Sequence, residues 1–269
     1  MIAFPNAKIN LGLRVLKKRS DGYHDIETVF YPVKWRDALE IVRANDNEFS
    51  FTQTGLQIDG ATENNLCAKA WKLMHHKFNI PVVHIHLHKV IPTGAGLGGG
   101  SSDAAETIKL INKLFELKLN NEELEEIASE IGSDCAFFIK NKPVLARGRG
   151  NIFLTSEIDL SKYKIVIVKP PVAVSTAEAY QKIAPNEADS LTEIIKLKPE
   201  YWKDKLINDF ELPVFKMYPE IAEIKNKLYE PGAVYASMSG SGSAVYALFK
   251  KEFEINRNDF ENCEVWVGE

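Results

Sequence analysis

The sequence of 269 residues predicts an α+β fold. Short strands with period-two alternation fill the first 55 residues, whereas helical spacing dominates after residue 175. No internal repeat and no regular alternation of strand and helix run along the chain, which argues against a repeating βα architecture. The length fits one large domain or two smaller packed domains, and we place two domains at residues 1–157 and 158–269.

The N-terminal segment is predicted to be rich in strands. Residues 9–16 carry apolar side chains at every second position, which is typical of a strand. The dipeptide Asp21-Gly22 marks a turn. Further strands at residues 28–33, 38–43 and 49–53 lead us to expect one antiparallel sheet.

The middle of the chain is predicted to set a glycine-rich loop between a strand and a helix. A helix over residues 64–78 and a strand over 82–90 precede the loop at 92–102. A helix over residues 103–115 leaves the loop, and a second helix follows at 122–131. Short strands are expected near Val144 and Ile152.

The C-terminal segment is predicted to begin with a buried strand at residues 163–168, ended by Pro170-Pro171. Helices are expected near residues 175–183, 189–206 and 214–229. Strands at 233–238 and 244–249 then flank a serine-glycine loop at 239–243.

Composition excludes several functional classes. The 33 basic residues are outnumbered by 37 acidic ones, so we expect neither a nucleic-acid partner nor a membrane surface as partner. Three scattered cysteines without a CxxC pair argue against a disulfide framework or a cysteine-rich zinc site. No basic, apolar leader and no long apolar run are visible, and we expect a cytoplasmic protein that is a monomer or weak homodimer.

The glycine loop is the strongest chemical signal. Five of the seven residues from 94 to 100 are glycine, so backbone N–H groups can converge on phosphate oxygens, helped by the following helix N-terminus. The alternative is a flexible turn with a capping Ser or Asp. The candidate phosphate-binding residues are Pro92, Thr93, Gly94, Ala95, Gly96, Leu97, Gly98, Gly99, Gly100, Ser101 and Ser102.

Familiar nucleotide-binding motifs do not account for this loop. No GK[ST] tripeptide exists, which excludes a Walker loop. Gly94, Gly96 and Gly99 fit GxGxxG, but a Rossmann unit needs a second parallel strand ending in an acid, whereas Glu116 ends a predicted helix. No HRD or DFG motif follows, so a protein-kinase loop is also excluded.

Three segments together resemble the GHMP kinases: PNAKINL at residues 5–11, PTGAGLGGGSS at 92–102 and SGSGS at 239–243. Further elements, RSDGYH at 19–24, GSD at 132–134 and NDFE at 208–211, resemble the branch that acts on a diphosphocytidyl alcohol. The resemblance implies a two-domain fold with an N-terminal ATP-binding domain of mixed β-sheet and helices. It also implies a C-terminal ferredoxin-like α/β sandwich and an active site in the cleft between the domains. The implied reaction moves the ATP γ-phosphate to the 2-hydroxyl of a cytidyl diphosphate substrate in non-mevalonate isoprenoid synthesis.

The same resemblance implies two catalytic residues. Asp134 is the expected base for the attacking hydroxyl, because phosphoryl transfer needs a carboxylate that can accept its proton. Lys8 is expected to contact Asp134 and the reacting hydroxyl, as a catalytic or only a positioning group. Asn10, on the same strand face as Lys8, is expected to hydrogen-bond the substrate. The alternatives are an N-cap or an exposed turn acid for Asp134 and a surface lysine for Lys8.

Substrate contacts are expected from aromatic residues and from the late loop. Tyr23 offers a ring on which cytosine can stack, and His24 a polar edge. Tyr180 is the candidate second face of a cytosine sandwich, with helix packing as the alternative. The loop residues Gly240, Ser241 and Gly242 are expected to contact substrate, with a plain hairpin turn as the alternative.

ATP chemistry implies Mg²⁺, expected to be held mainly by phosphates and water, with no evident protein ligand. The alternating His84, His86 and His88 are expected to form a polar strand face, not a zinc site. Two other functions remain open: a homoserine- or mevalonate-type GHMP kinase, for which the Tyr23-His24 element has no purpose, and a non-catalytic nucleotide- or RNA-binding module.

Overall fold

A computed structural model describes residues 1–46, 48–58, 60–185 and 190–268 of the chain. Its strands are β1 Ile2–Ala3, β2 Asn6–Lys18, β3 His24–Arg36, β4 Ala38–Arg43, β5 Ser50–Gly55, β6 Val83–Lys89, β7 Val144–Arg147, β8 Ile152–Thr155, β9 Tyr163–Lys169, β10 Tyr235–Met238, β11 Val245–Lys250 and β12 Glu264–Gly268. Its α-helices are α1 Leu66–Phe78, α2 Gly99–Leu114, α3 Asn121–Ile131, α4 Phe137–Lys140, α5 Thr176–Gln181, α6 Leu191–Ile195, α7 Glu211–Met217 and α8 Pro219–Tyr229. None of the helices in these ranges is long and apolar enough to cross a membrane.

Two compact units interleave along the chain. The first comprises Met1–Ala7, Trp35–Thr93 and Gly98–Lys142. The second comprises Lys8–Lys34, Gly94–Leu97 and Pro143–Glu269, described here to residue 268. The glycine loop therefore contributes residues to both units, and the domain boundary at residue 157 stays a prediction.

The first unit is a four-stranded sheet with helices. Its strand order is β1-β4-β6-β5, antiparallel except for the parallel pair β5 and β6. Alternate residues such as Leu39, Ile41, Ile85 and Leu87 are fully buried, since one sheet face lies inward. Helix α2 packs against α1, α3, α4 and strand β4.

The opposite face of this sheet is polar, as the histidine alternation predicts. His84, His86 and His88 on β6 pair through their ring nitrogens with Ser50, Thr52 and Thr54 on β5. Among the described residues, no three His, Cys, Asp or Glu side chains gather in a way that could hold a metal ion.

The second unit holds two further sheets. One has the order β2-β3-β7-β8, and the other, β10-β11-β9-β12, is antiparallel throughout. The main core of this unit joins Val166 and Val168 of β9 and Val245 of β11 to Ile221 and Leu228 of α8. The α+β prediction is confirmed.

Three sequence-based predictions of secondary structure are wrong. The early strands do not form one antiparallel sheet, because β2 and β3 join one sheet while β1, β4 and β5 join another. The helix expected at 189–206 is replaced, over its described residues, by the short α6 and a 3-10 turn, Pro199–Tyr201. The helix expected at 214–229 is two helices, α7 and α8, that meet at Pro219. A proline disfavours helical geometry in the residue before it, which accounts for both interruptions.

Candidate active site

Helix α2 begins inside the glycine run, four residues earlier than the sequence analysis expects. Its N-cap, Gly98, lies in the left-handed region at φ 68° and ψ 15°, and no side chain caps the helix there. The first N–H groups of an α-helix have no partner within the helix. The start of α2 at Gly99 therefore offers backbone donors and the positive end of the helix dipole to an anion.

The turn before this helix has no room for a side chain at Gly96. The residue has φ +74°, and a Cβ there would lie 1.9 Å from the carbonyl oxygen of Ser239. The Ser239 hydroxyl donates to the Gly96 carbonyl over 2.8 Å, and the Ala244 N–H donates to the Ala95 carbonyl over 3.1 Å. The glycine loop and the serine-glycine loop are thus joined backbone to backbone in the second unit.

Lys8 and Asn10 lie buried on β2, next to the same loop. The Lys8 ammonium donates to Asn10 Oδ1 over 2.6 Å and lies 4.8 Å from the ring centroid of Phe30. The Lys8 N–H donates to the Leu97 carbonyl over 2.9 Å, so the strand runs beside the glycine loop. The Asn10 amide donates to the Thr28 hydroxyl over 3.0 Å. Lys8 is only 3% exposed, so it is not an ordinary surface lysine.

Asn10 also contacts the serine-glycine loop. Its N–H donates to the Ser239 hydroxyl over 3.2 Å, and a Cβ on Gly240 would lie 3.3 Å from Asn10 Oδ1. The Tyr246 hydroxyl donates to the Asn10 carbonyl over 2.9 Å. The structure therefore brings together Lys8, Asn10, residues 95–97 and residues 239–240 within the second unit.

Asn208 holds the serine-glycine loop in place, a role that the sequence analysis missed. Its amide donates to the carbonyls of Met238 and Gly240, each over 2.8 Å, and its Oδ1 accepts the N–H of Phe210. In the sequence, the NDFE segment stands out only through the resemblance. Acidic and apolar residues alternate after Asn208, so no local pattern indicates that its amide is buried and must find several hydrogen-bond partners.

The remaining residues of the late loop have defined positions. Ser241 is half-buried, and its hydroxyl lies 2.9 Å from that of Thr176 at the start of α5. Gly242 has φ +91°, and a Cβ there would lie 2.7 Å from the Met238 sulfur. The loop is a built turn with little space for larger residues, whereas its contact with substrate stays a prediction.

Asp134 lies in the first unit, half-buried in the turn after α3. The next residue, Cys135, is hydrogen-bonded to Ser101 in the first turn of α2. The carboxylate therefore belongs to a turn that is tied to the glycine-loop helix. Burial, with a smaller contribution from Asp134, raises the pKa of Cys135 to about 12, so this thiol is a packing group at neutral pH.

The aromatic candidates separate into two contacts in the second unit. Tyr23 is 54% exposed, and the Arg149 guanidinium lies 4.6 Å from its ring centroid. The Tyr180 ring stacks on His24 at a centroid distance of 4.9 Å and meets Phe210 edge-on. Burial, and then Lys18, lower the pKa of His24, which favours its neutral ring at pH 7.

Comparisons with known proteins identify the family of the chain. A family model described as the GHMP kinases N terminal domain matches residues 65–142, and one described as GHMP kinases C terminal matches residues 187–257. The chain belongs to the GHMP kinase family. As a GHMP kinase, it has the two-domain fold that the sequence resemblance implied.

Named GHMP kinases resemble the chain over nearly its whole length. It is 54% identical over 264 residues to a 4-diphosphocytidyl-2-C-methyl-D-erythritol kinase of Bacteroides fragilis, covering 97% of this chain and 96% of that one. It is 52% identical to a relative of the same name from Parabacteroides distasonis, covering 100% of this chain and 99% of that one. A crystal structure of a 4-(cytidine 5'-diphospho)-2C-methyl-D-erythritol kinase superposes with a TM-score of 0.82 at 28% identity, covering 100% and 98% of the two chains.

Proposed function

We propose that this GHMP kinase transfers the γ-phosphate of ATP to the 2-hydroxyl of 4-diphosphocytidyl-2-C-methyl-D-erythritol, in the non-mevalonate route to isoprenoid precursors. The observation that carries the proposal is the 54% identity, over 97% of the chain, to a kinase named for that substrate. The products are ADP and a phosphomonoester at the 2-oxygen.

The glycine loop is the proposed phosphate site for ATP. Exposed Thr93 and Gly94 precede the uncapped start of α2, where backbone N–H groups and the helix dipole favour polyanions. Leu97 and Gly96 are fixed by backbone contacts to β2 and to the serine-glycine loop. A phosphate bound there would meet donors that are already in position, which is the main requirement of phosphoryl transfer.

Lys8 and Asp134 are the proposed catalytic groups. In the proposed step, the substrate 2-oxygen attacks the γ-phosphorus while its proton passes to the Asp134 carboxylate, and the bond from phosphorus to the β,γ-bridging oxygen breaks. The Lys8 ammonium, held at 2.6 Å from Asn10 Oδ1, is a fixed positive charge that would offset charge on the transferring group. Asn10 has both a fixed side chain and a fixed backbone, which suits it to orient the substrate.

The proposed cytidine contacts are Tyr23, His24 and Tyr180. The exposed Tyr23 ring is available for stacking on one face of a base. The Arg149 guanidinium lies over the same ring, 4.6 Å from its centroid. A neutral His24 can donate one ring hydrogen and accept one, as a base edge requires. In this conformation His24 covers one face of Tyr180, so a sandwich between Tyr23 and Tyr180 would require His24 to move.

Mg²⁺ would enter this reaction with ATP. The described residues provide no group of three His, Cys, Asp or Glu side chains that fits a protein-built metal site. Phosphate oxygens and water suffice to hold Mg²⁺, which retains several waters in most nucleotide sites, and the ion would neutralise phosphate charge.

An ATP-consumption assay with three alcohols tests the proposed function. The purified chain is given 4-diphosphocytidyl-2-C-methyl-D-erythritol, homoserine or mevalonate, each with MgATP, and ADP release is followed. We expect turnover with the cytidyl alcohol alone. Turnover with homoserine or mevalonate in its place would assign the chain to another GHMP kinase, and ATP consumption that needs no alcohol would remove the acceptor assignment.

Substitution of Asp134 tests the proposed base. We expect Asp134→Asn to lower kcat by about 10²–10⁴-fold, because an amide cannot accept the proton, while the Kd of ATP changes little. Glu126→Gln is the matched control, because Glu126 is an exposed acid on neighbouring α3 and should keep full activity. An Asp134→Asn enzyme within twofold of wild-type kcat would remove Asp134 from the base role.

A further inference from the structure

Three ionisable side chains lie fully inside the first unit and take no part in the site described above. Lys89 is the last residue of β6, Asp37 lies between β3 and β4, and Asp103 lies in the second turn of α2. The Lys89 ammonium donates to Asp37 Oδ2 over 2.5 Å and to Asp103 Oδ2 over 2.7 Å. The side chains of this ion cluster, Asp37–Lys89–Asp103, are at most 2% exposed.

The cluster fixes the chain where it enters the glycine loop. Asp37 Oδ1 accepts the N–H groups of Val90 and Ile91 over 2.6 and 2.8 Å. These two residues follow Lys89 and lead directly to Pro92, the first residue of the loop. One carboxylate therefore holds both the lysine and the backbone of the incoming segment.

The same lysine lies directly behind the start of the outgoing helix. A Cβ on Gly99, the first residue of α2, would lie 2.9 Å from Lys89 Nζ and 2.9 Å from Ile91 Cγ2. Gly99 therefore leaves the space in which the ammonium lies. The ammonium therefore lies beside the positive end of the helix dipole, where the loop would receive phosphates, and Asp37 and Asp103 share its charge.

Asp103 completes the cluster from the helix side. Its Oδ1 is buried and has no hydrogen-bond partner among the described residues. Burial and the neighbouring Asp37, opposed by Lys89, raise the pKa of Asp103 to about 8. The nearby Cys67 on α1 has a pKa that burial raises strongly, so it remains a neutral thiol. The charge of the cluster thus changes with the proton on Asp103.

Stability alone gives little reason to bury these charges. Apolar residues of similar volume often replace a buried ion cluster with no loss of stability, because desolvation offsets the attraction between the ions. A role in placing charge and backbone at the glycine loop accounts for the two backbone bonds of Asp37 and for the gap left by Gly99.

We propose that the ion cluster Asp37–Lys89–Asp103 is a positioning device for the phosphate-binding loop, which holds both ends of the loop and places a buried cation behind the helix that receives the nucleotide phosphates. This positioning role rests on the proposed function in one respect, which is that the anion bound by the loop is ATP. The three residues act through the loop and do not touch the nucleotide themselves. They should therefore govern the affinity for ATP and not that for the cytidyl alcohol.

Calorimetric binding of MgATP and of the cytidyl alcohol, measured separately at 20 °C, tests the proposal. We expect Lys89→Met to raise the Kd of ATP by about tenfold or more while the Kd of the cytidyl alcohol stays within twofold. Lys72→Met is the matched control, since Lys72 is exposed on α1 and should leave both constants unchanged. An unchanged Kd of ATP in a folded Lys89→Met chain would overturn the proposal.

Asp103→Asn tests the same role of the cluster even if Lys89→Met does not fold. The amide keeps the shape of the carboxyl group but cannot ionise. The raised pKa means that wild-type Asp103 is protonated below about 8 and gains a negative charge above it. The wild-type Kd of ATP should therefore rise about fivefold between pH 7 and 9, while that of Asp103→Asn stays flat. Parallel profiles in the two chains would contradict the proposal.

These outcomes separate the proposal from the proposed function. A wild-type chain that binds ATP but phosphorylates another alcohol would refute the cytidyl assignment and leave the cluster's role intact. The opposite outcome is a wild-type chain that phosphorylates the cytidyl alcohol, together with Lys89→Met and Asp103→Asn variants whose ATP affinity is unchanged. That outcome would support the cytidyl assignment and refute the role of the cluster.

Discussion

Two glycines of one loop provide a matched pair of substitutions, Gly96→Ala and Gly94→Ala. Both residues have left-handed φ, +74° at Gly96 and +60° at Gly94. At Gly96 a Cβ would lie 1.9 Å from the Ser239 carbonyl oxygen, whereas at Gly94 nothing lies within 4 Å. The two variants therefore share the backbone cost of an alanine with positive φ and differ in the clash.

The structure sets the size of the difference. Left-handed backbone costs a non-glycine residue about 1–2 kcal/mol, and both variants lose this amount. Gly96→Ala must also move two backbone segments apart by about 1.5 Å, from 1.9 Å to an ordinary contact of 3.4 Å. Overpacking of this kind costs about 1–3 kcal/mol. Displacement of a positioning loop by about 1 Å is worth about 10²-fold in rate.

Thermal unfolding of the ligand-free variants is the assay. We expect the Tm of Gly96→Ala to lie about 3–10 °C below that of Gly94→Ala, with a kcat about 10²-fold below that of the wild type. The comparison without ligand matters, because a methyl group at the open Gly94 position can collide with bound nucleotide and affect only the KM of ATP. Equal Tm values for the two alanine variants would refute the claimed contact between the two loops.

Three further predictions concern single residues. Lys8→Met should lower kcat by about 10²-fold or more, because the fixed cation is lost. Lys17→Met, at the exposed end of the same strand, should leave kcat unchanged. Equal kcat values for these two variants would show that Lys8 has no part in transfer. Tyr23→Ala should raise the KM of the cytidyl alcohol about tenfold through lost stacking and leave the KM of ATP unchanged, so an unaltered cytidyl KM argues against stacking. Because the pKa of His24 is lowered, its ring is neutral at pH 7 and gains a proton only as the pH falls below its usual 6.5. The KM of the cytidyl alcohol should stay constant from pH 7 to 8 and rise in acid, and His24→Gln should abolish that rise.

Local signals in the sequence predicted the elements that carry the site. The strand, glycine loop and helix around residues 82–115 were predictable because period-two alternation, clustered glycines and helical spacing follow one another without interruption. The sequence pattern places the start of α2 too late, because glycine is a poor helix former and a glycine run favours a loop. Close packing of Gly99 against Lys89 and Ile91 overrides that weak preference.

Contacts between distant segments were beyond sequence reasoning. Asp37, Lys89 and Asp103 are separated by 52 and 14 residues and meet only through the folded sheet and helix α2. The contact of Gly96 with Ser239 spans 143 residues. Each segment carried a visible signal, but no local pattern specifies which loop packs against which.

The predictions of two long C-terminal helices are wrong for a local reason that is visible in the sequence. Pro199 and Pro219 interrupt the two apolar patterns that predict continuous helices. Across Pro219 the apolar spacing continues because the short helices on either side share one core, as Val214 and Ile221 do. The spacing of apolar residues indicates which face of a segment is buried, whereas a proline indicates where a helix is interrupted.

Transfer of the labelled γ-phosphate of ATP shows whether this chain phosphorylates the 2-hydroxyl of the cytidyl alcohol. The chain is incubated with γ-labelled MgATP and 4-diphosphocytidyl-2-C-methyl-D-erythritol, and the product is resolved and its phosphorus environment identified by ³¹P NMR. We expect the label to appear in a phosphomonoester on the 2-oxygen of the cytidyl alcohol, in a one-to-one ratio with ADP. Label found only in inorganic phosphate, or on another hydroxyl of the substrate, would contradict it.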